Sequence, residues 1–288
     1  MRWRPGGRST DLEDRRGQSG GGGGFIPGGG MRLGLGGIVV LLVLSLVFKQ
    51  DFFSLLAGAG GDAAPAGQVA DGPVASTPEE DRMVQFVSFV FDDVQKNWEQ
   101  ILPPLGVPYR HAKLVLFRDE IQSACGFAET ASGPFYCPGD EKVYIDLGFF
   151  DELSRRFGAP GDFAQAYVLA HELGHHVQKL LGTEAKMREA GARRPDLANQ
   201  LSVKLELQAD CYAGIWANST QQRDILERGD IEEGLGAAAA VGDDRIQRMT
   251  TGHVNPETFT HGTSADRERW FREGFSAGRL DACDTFRS

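Results

Sequence analysis

Residues 170–176 of the chain read Ala-His-Glu-Leu-Gly-His-His, and the fold has to be built around this stretch. Within it His171 and His175 stand four residues apart, with Glu172 directly after the first. On a helix, residues four apart lie one turn apart on the same face, so both imidazoles can reach one metal ion. Glu172 lies one step round the helix, where its carboxylate can act on a water without ligating the metal. The stretch therefore predicts a metal-binding helix.

The residues on either side favour one long helix. Asp162 stands where an N-cap residue would begin it, and Gly182 stands where a residue in a left-handed conformation would end it. Between them, apolar residues recur at steps of three and four, as on one face of a helix. These residues are Phe163, Tyr167, Ala170, Gly174, Val177 and Leu181.

A second segment offers the third protein ligand that a catalytic zinc site requires. Helical spacing runs roughly from Asn199 to Asn218, and within it Glu206 and Asp210 lie four residues apart on one face. Glu206 is suited to ligate the ion, which leaves a fourth position for water. Asp210 is suited to accept the N–H of a ligating histidine and fix its tautomer. The alternative is that both are solvated helix charges, although the segment is mostly apolar.

These motifs resemble those of a known group of enzymes. H-E-x-x-H followed by E-x-x-x-D is similar to the gluzincin peptidases. Residues 170–176, 205–216 and 260–267 resemble the bacterial neutral zinc metallopeptidase family, whose members are membrane-tethered. The resemblance covers about residues 80–288 together with an N-terminal anchor. It implies a peptide or protein substrate and one Zn²⁺ per chain, with His171, His175 and Glu206 as its ligands.

The resemblance also implies roles for two further pairs of residues. Late in some gluzincin families a histidine faces the oxyanion and an arginine braces the site, and His261 and Arg267 match that element. An edge strand beside the cleft holds the substrate by main-chain hydrogen bonds, and by position Phe135 and Tyr136 would form it. The alternatives are that residues 263–264 cap a helix with Arg267 on the surface, and that the two aromatic residues fill core.

The N-terminal region differs in composition from the rest of the chain. Residues 1–30 combine arginines with a glycine run and lack apolar periodicity, which predicts a disordered cytoplasmic tail. Residues 31–49 hold an uncharged apolar run, which predicts a transmembrane signal anchor. A cleaved signal peptide and a buried core helix are the alternatives. Arginines before the span place the N-terminus in the cytoplasm and the rest outside. We predict that residues 50–76 form a flexible linker and that residues 77–288 form the metallopeptidase domain.

The charge distribution supports this division. Residues 1–50 carry a net charge of +4 and the remainder carries −14, within a total of −10. An acidic domain of this kind is poorly suited to nucleic acid or to an anionic membrane face. We therefore expect no nucleic-acid partner, and contact with the lipid bilayer only through residues 31–49.

Four cysteines are an even number, as expected of two disulfides outside the cytoplasm. Three pairings are possible. We favour Cys125 with Cys137, a short loop beside the predicted edge strand, and Cys211 with Cys283, which would fix the C-terminus to the helix that carries Glu206. A cysteine zinc site is disfavoured, because the sequence contains no C-x-x-C motif.

Several elements of residues 77–288 can be placed from local signals. Thr77 is an N-cap candidate followed by proline, and the helix that it begins stops at residues 103–104, which are both proline. Residues 113–117 predict a strand. Two further strands, at residues 134–137 and 143–146, predict a hairpin around a Pro-Gly-Asp turn.

Together these features predict an α+β fold: a zincin-like domain with a small sheet packed on the active-site helix and a mostly helical C-terminal half, preceded by one transmembrane helix. The predicted function is zinc-dependent hydrolysis of peptide bonds by an anchored extracytoplasmic peptidase. One alternative is a scaffold or binding protein that keeps zinc only for stability, although such a site gains nothing from Glu172. Another is a zinc hydrolase of cell-wall peptide amides.

Overall fold

The computed structural model of the chain describes residues 1–18, 74, 76–129 and 133–287. Strands lie in the N-terminal half and the second half is mostly helical, so the α+β class is confirmed. The strands are β1 (Leu12–Asp14), β2 (Lys113–Phe117), β3 (Glu120–Ser123), β4 (Gly126–Glu129), β5 (Phe135–Cys137) and β6 (Lys142–Asp146). The longer helices are α1 (Pro78–Ile101), α2 (Gly148–Arg155), α3 (Asp162–Leu181), α4 (Thr183–Arg193), α5 (Ala198–Gln222), α6 (Asp230–Ala240), α7 (Asp243–Thr250) and α8 (Ser264–Ala277).

The main sheet has four strands in the order β1-β2-β6-β5. Strands β1, β2 and β6 are parallel, whereas β5 runs antiparallel to β6 and forms the edge. The predicted hairpin and the strand at residues 113–117 are thereby confirmed. Strands β3 and β4 form a separate antiparallel pair. Buried residues of β2 and β6 share one apolar core with α3, so the sheet packs on the helix that carries the histidines.

Local signals in the sequence account for the helix ends. Thr77 caps α1 through a reciprocal capping box with Glu80, and Pro78 stands at the first helical position, as predicted. Gly182 ends α3 with φ 72°, the left-handed conformation expected of it. The start of α3 is displaced by one residue, because Gly161 is the N-cap and Asp162 is the first helical residue.

Helices α3 and α5 pack at close range, and glycine makes this possible. A Cβ on Gly174 would lie 3.0 Å from the main-chain oxygen of Ala209, closer than side chains normally approach. Because Gly174 lies between the two histidines of α3, the backbone of α5 comes close to them. This approach brings the side chains that follow Leu205 on α5 towards the histidine face.

The aromatic core ties these helices to α1. Phe163 and Trp216 stack with ring centroids 5.6 Å apart and an interplanar angle of 7°, and both rings are fully buried. The indole N–H of Trp216 donates to Asp93 of α1 at 2.9 Å. The metal-binding helix is thus held by packing on several sides rather than by its own helix propensity.

The prediction of a disordered tail through residues 1–30 is wrong for the first part of that range. Residues 12–14 form β1, which pairs in parallel with residues 114–116 of β2. The α-ammonium of Met1 lies 2.7 Å from Asp162 and 3.3 Å from Asp230. Composition misled the prediction, because three residues of strand at the border of a sheet are stabilised by partners far along the chain.

The predicted anchor at residues 31–49 lies outside the part of the chain that the structure describes, as does nearly all of the predicted linker at 50–76. Among the residues that are described, none of the helices combines the length and the apolar character needed to span a bilayer.

Candidate metal centre

The structure brings His171, His175 and Glu206 together, as the sequence predicts. One ligand atom from each of the three lies within 4.8 Å of the others. The Nε2 atom of His171 is 3.2 Å from one Glu206 oxygen, and that of His175 is 3.4 Å from the other. Two imidazoles one turn apart on α3 therefore face a single carboxylate on α5. Two nitrogens and one carboxylate are the donor set of a catalytic zinc site.

Hydrogen bonds on the far side of each ring fix the tautomer that a metal requires. The Nδ1 atom of His171 lies 2.8 Å from Asp210, and that of His175 lies 2.9 Å from the side-chain oxygen of Gln178. Both partners accept hydrogen bonds, so each Nδ1 carries a proton, and each Nε2, which is directed towards Glu206, is the nitrogen that would ligate a metal ion. The residues therefore fit a zinc ion on the chemistry of their donor atoms.

The histidines and carboxylates of the centre strongly shift each other's pKa values. Burial disfavours protonation of His171, but the carboxylates of Asp210 and Glu206 outweigh it and raise its pKa to about 10. Burial of Glu206 likewise works against ionisation, yet the two histidines hold its pKa well below the usual range. Glu206 is therefore an ionised carboxylate directed at two imidazoles, which is the form that ligates a cation.

Asp210 is the buried centre of a hydrogen-bond network behind His171. It has no exposed surface, and it accepts bonds from His171, from the hydroxyl of Tyr167 at 2.5 Å and from Arg267. The guanidinium of Arg267 contacts both Asp210 oxygens, at 2.9 and 3.0 Å, and is itself 2% exposed. The alternative of a surface arginine is therefore excluded. The network fixes the position of the His171 ring from behind.

Glu172 lines a cavity together with the two histidines and Glu206, and it is buried, with 8% of its surface exposed. Burial raises the pKa of its carboxyl group above the usual value for glutamate, whereas the two histidines lower it. The main-chain N–H of Tyr136 donates to the carboxylate from the edge strand. A general base gains from a raised pKa, because proton transfer is most effective when the pKa approaches the working pH.

Strand β5 borders the cavity and is joined to α3 by His176. The Nε2–H of His176 donates to the carbonyl of Arg110 at 2.6 Å, so its Nδ1 accepts from the hydroxyl of Tyr136 at 2.9 Å. Phe135 instead stacks on Tyr144 of β6, with ring centroids 4.9 Å apart. The structure thus places Phe135 and Tyr136 on the edge strand beside the histidines, and each has a packing role as well.

We expect the Tyr136→Phe variant to loosen the edge strand without disturbing the metal ligands. It leaves the buried Nδ1 of His176 without its donor, which costs about 1–3 kcal/mol. For a domain of this size the melting temperature should fall by roughly 2–10 °C, while zinc content stays unchanged. A double-mutant cycle with His176→Phe measures the coupling. Additive effects of the two substitutions would show that this hydrogen bond contributes nothing.

His261 lies at the rim of the cavity, and Asp243 fixes its loop. One oxygen of Asp243 accepts the main-chain N–H groups of Thr260, His261 and Gly262, at 2.8, 2.6 and 3.0 Å. The other oxygen lies 3.2 Å from Nδ1 of the His261 ring. This contact raises the pKa of His261, and it leaves Nε2 as the nitrogen available to a ligand.

The cavity has a volume of about 610 Å³, and its wall combines the polar groups above with an apolar surface. The apolar part comes from β5, α2, α3 and α7, and from the short segments that follow α2 and α6. It is lined by Phe135, Phe149, Phe157, Val168, Val241 and Ile246.

The disulfides have the predicted pairing. Cys125 is bonded to Cys137 beside the edge strand, and Cys211 is bonded to Cys283. The second bridge links α5, the helix that carries Glu206, to the C-terminal segment. The side-chain amide of Gln208 donates to the carbonyl of Cys283 at 3.0 Å and strengthens the same link.

Four residues of this site were missed by the sequence analysis. Tyr167 is one turn before His171, but it was assigned to the apolar stripe. His176 directly follows His175 and Gln178 lies three residues after it, yet neither a third histidine nor a glutamine has a distinctive spacing. Asp243 gives no signal at all, because it lies eighteen residues before His261 and only the fold brings them together.

A helix that presents two histidines four residues apart, with a buried glutamate between them and a carboxylate from a second helix, is typical of the metal centre of a metallopeptidase. Comparison with known sequences agrees. The sequence model of the family described as "Putative neutral zinc metallopeptidase" matches residues 1–286, and the chain belongs to this family.

Two relatives illustrate how far the similarity extends. "Uncharacterized protein YpfJ" of Escherichia coli K12 is 43% identical over 289 residues, which cover 99% of each chain. "Uncharacterized protein Rv2575" of Mycobacterium tuberculosis H37Rv is 44% identical over 206 residues, which cover 68% of each chain. No solved structure matches this chain.

Proposed function

We propose that this protein is a zinc-dependent peptidase with a zincin-like catalytic domain. The observation that carries the proposal is the convergence of His171, His175 and Glu206 to within 4.8 Å, next to a buried Glu172. The family to which the chain belongs supports zinc as the metal. The edge strand antiparallel to the rest of the sheet supports the zincin-like fold.

A bound zinc ion would supply Lewis-acid chemistry, lowering the pKa of water and polarising the peptide carbonyl. The protein's own residues account for the proton transfers. Glu172 would accept the proton of the attacking water and then pass it to the leaving amine. His261 would donate from Nε2 to the oxyanion, while Arg267 acts from behind through Asp210 and His171.

The substrate would be a peptide or protein segment in extended conformation. Strand β5 forms the edge of the sheet, and edge strands can pair with an added strand through their main-chain groups. Phe135 and Tyr136 would lie along that added strand beside the histidines, with the main-chain N–H of Tyr136 retained by Glu172. A zinc hydrolase of cell-wall peptide amides would use the same chemistry.

We also propose that the domain lies outside the cytoplasm and that residues 31–49 anchor the chain to a membrane. Two disulfides support a location outside the cytoplasm, because such bonds persist in oxidising compartments. The apolar run within residues 31–49 supports the membrane anchor.

Metal analysis of the full chain tests the proposed ligands. Purified wild-type protein should retain about one zinc ion per chain after dialysis, because three protein ligands form a single site. His171→Ala and His175→Ala should each lose it, since removing a ligand from such a set sharply lowers affinity. His253→Ala is the matched control, because His253 is exposed on a loop away from the cavity. Full zinc occupancy in both ligand variants would place the metal elsewhere.

A further inference from the structure

The segment Met1–Gly17, called here the N-terminal segment, completes the main sheet. Its strand β1 covers β2, of which four of the five residues are buried. Without β1, the apolar strand Lys-Leu-Val-Leu-Phe at residues 113–117 would be an open edge. Such edges are aggregation sites that proteins cover or charge. The segment therefore has a structural function within the domain.

Buried polar contacts also fix the segment in place. Asp11 is 9% exposed, and it accepts from the amide of Gln95 at 3.2 Å and from Lys113 at 2.6 Å. Ser9 donates to Asp92 of α1 at 2.5 Å. Gln95 is fully buried, so undocking the segment would remove one partner of a buried amide. A buried group left unsatisfied costs about 1–3 kcal/mol.

Residues near both ends of the N-terminal segment are also fixed by side-chain contacts. At the start, Trp3 packs edge-on against Phe86 of α1 with centroids 5.2 Å apart. At the end, Arg16 is 4% exposed and pairs with Asp14 at 2.8 Å. The family model also matches from residue 1, so the segment belongs to the sequence that the family has in common.

The end of the N-terminal segment lies next to the start of α1. The guanidinium of Arg16 lies 3.7 Å from Glu80, in the first turn of α1. The guanidinium of Arg8 lies 3.5 Å from Asp81 in the same turn. The residues just before Gln18 and just after Thr77 are therefore neighbours in space.

We infer that the N-terminal segment and the metallopeptidase domain lie on the same side of the membrane. A strand and its sheet cannot be hydrogen-bonded across a bilayer, so an odd number of crossings between residues 18 and 76 is incompatible with the folded domain. The inference is independent of catalysis, and it is incompatible with the combination of a cytoplasmic N-terminus and an extracytoplasmic domain that the arginine bias predicts.

A crosslink in living cells tests the docking. In the full-length double variant Ser9→Cys/Asp92→Cys, a short bifunctional thiol reagent should join the two positions, because their wild-type side chains touch. Mass spectrometry should then find a linked peptide that is absent from both single variants. A linked Cys211–Cys283 peptide in the same digest reports that the domain has folded. A folded double variant without the 9–92 link would overturn the inference.

Labelling of single cysteines tests the shared compartment directly. Arg4→Cys lies in the segment and Arg272→Cys lies on α8, and both positions are exposed. In spheroplasts treated with a membrane-impermeant maleimide, the labelled fraction of the two variants should agree, whether both react at once or both only after lysis. If one variant reacts before lysis and the other reacts only afterwards, the segment and the domain lie on opposite sides and the inference fails.

Discussion

Replacing Glu172 with glutamine should reduce peptide cleavage by roughly a hundred- to ten-thousand-fold while zinc content stays near the wild-type value. The amide has nearly the shape of the carboxylate, but it cannot accept the proton of the attacking water. Such a loss corresponds to about 3–5 kcal/mol in the activation barrier. Peptide-library digestion and metal analysis on the same protein preparation measure both quantities.

The structure provides a clear reason why zinc should be retained. Among the described residues, the polar contacts to the two histidine rings come from Asp210, Gln178, Glu206 and Arg267, and not from Glu172. Glu232→Gln is the control for loss of one carboxylate, because Glu232 is exposed on α6. Wild-type turnover in Glu172→Gln would exclude the peptidase proposal and favour a protein that keeps zinc only for stability.

The parts of the fold that the sequence predicted are those with strong local signals. A proline after Thr77, a glycine at residue 182 and a Pro-Gly-Asp turn each specify backbone conformation within a few residues. The positions of the histidines and of Glu206 were also predictable, because helical spacing places i and i+4 on one face. Two such pairs on two helices suffice to define one metal site.

What the sequence did not reveal depends on contacts between distant residues. Strand β1 has only three residues, and its partners lie about a hundred positions further on. The composition around it, rich in arginine and glycine, resembles that of disordered tails. Asp243 is a similar case, because its carboxylate meets His261 only after α7 and the following loop have packed.

Arg267 shows how burial changes the meaning of a charge. In the sequence it could equally be a surface residue near the start of a helix. In the structure it is buried against Asp210, and it also contacts the hydroxyl of Tyr167 at 3.2 Å. A buried ion pair is expensive to form, and removing one partner leaves an uncompensated charge. Such pairs are favoured where a side chain must be oriented, here His171.

The expected effect of Glu206→Gln is different from that of Glu172→Gln, although both changes remove one carboxylate. Glu206 faces Nε2 of both histidines, so its amide variant should lose zinc and activity together. A neutral amide oxygen is a much poorer zinc ligand than a carboxylate. Metal content after dialysis should therefore fall from about one zinc per chain towards zero.

Thermal unfolding with and without a chelator separates loss of metal from general damage. Zinc at a hundred times its dissociation constant stabilises the folded state by about 2.7 kcal/mol. Removing it should lower the wild-type melting temperature by roughly 5–10 °C. Glu206→Gln should melt at the same temperature whether or not the chelator is present. If this variant keeps its zinc and its response to the chelator, another residue is the third ligand, and the proposed centre on α3 and α5 is wrong.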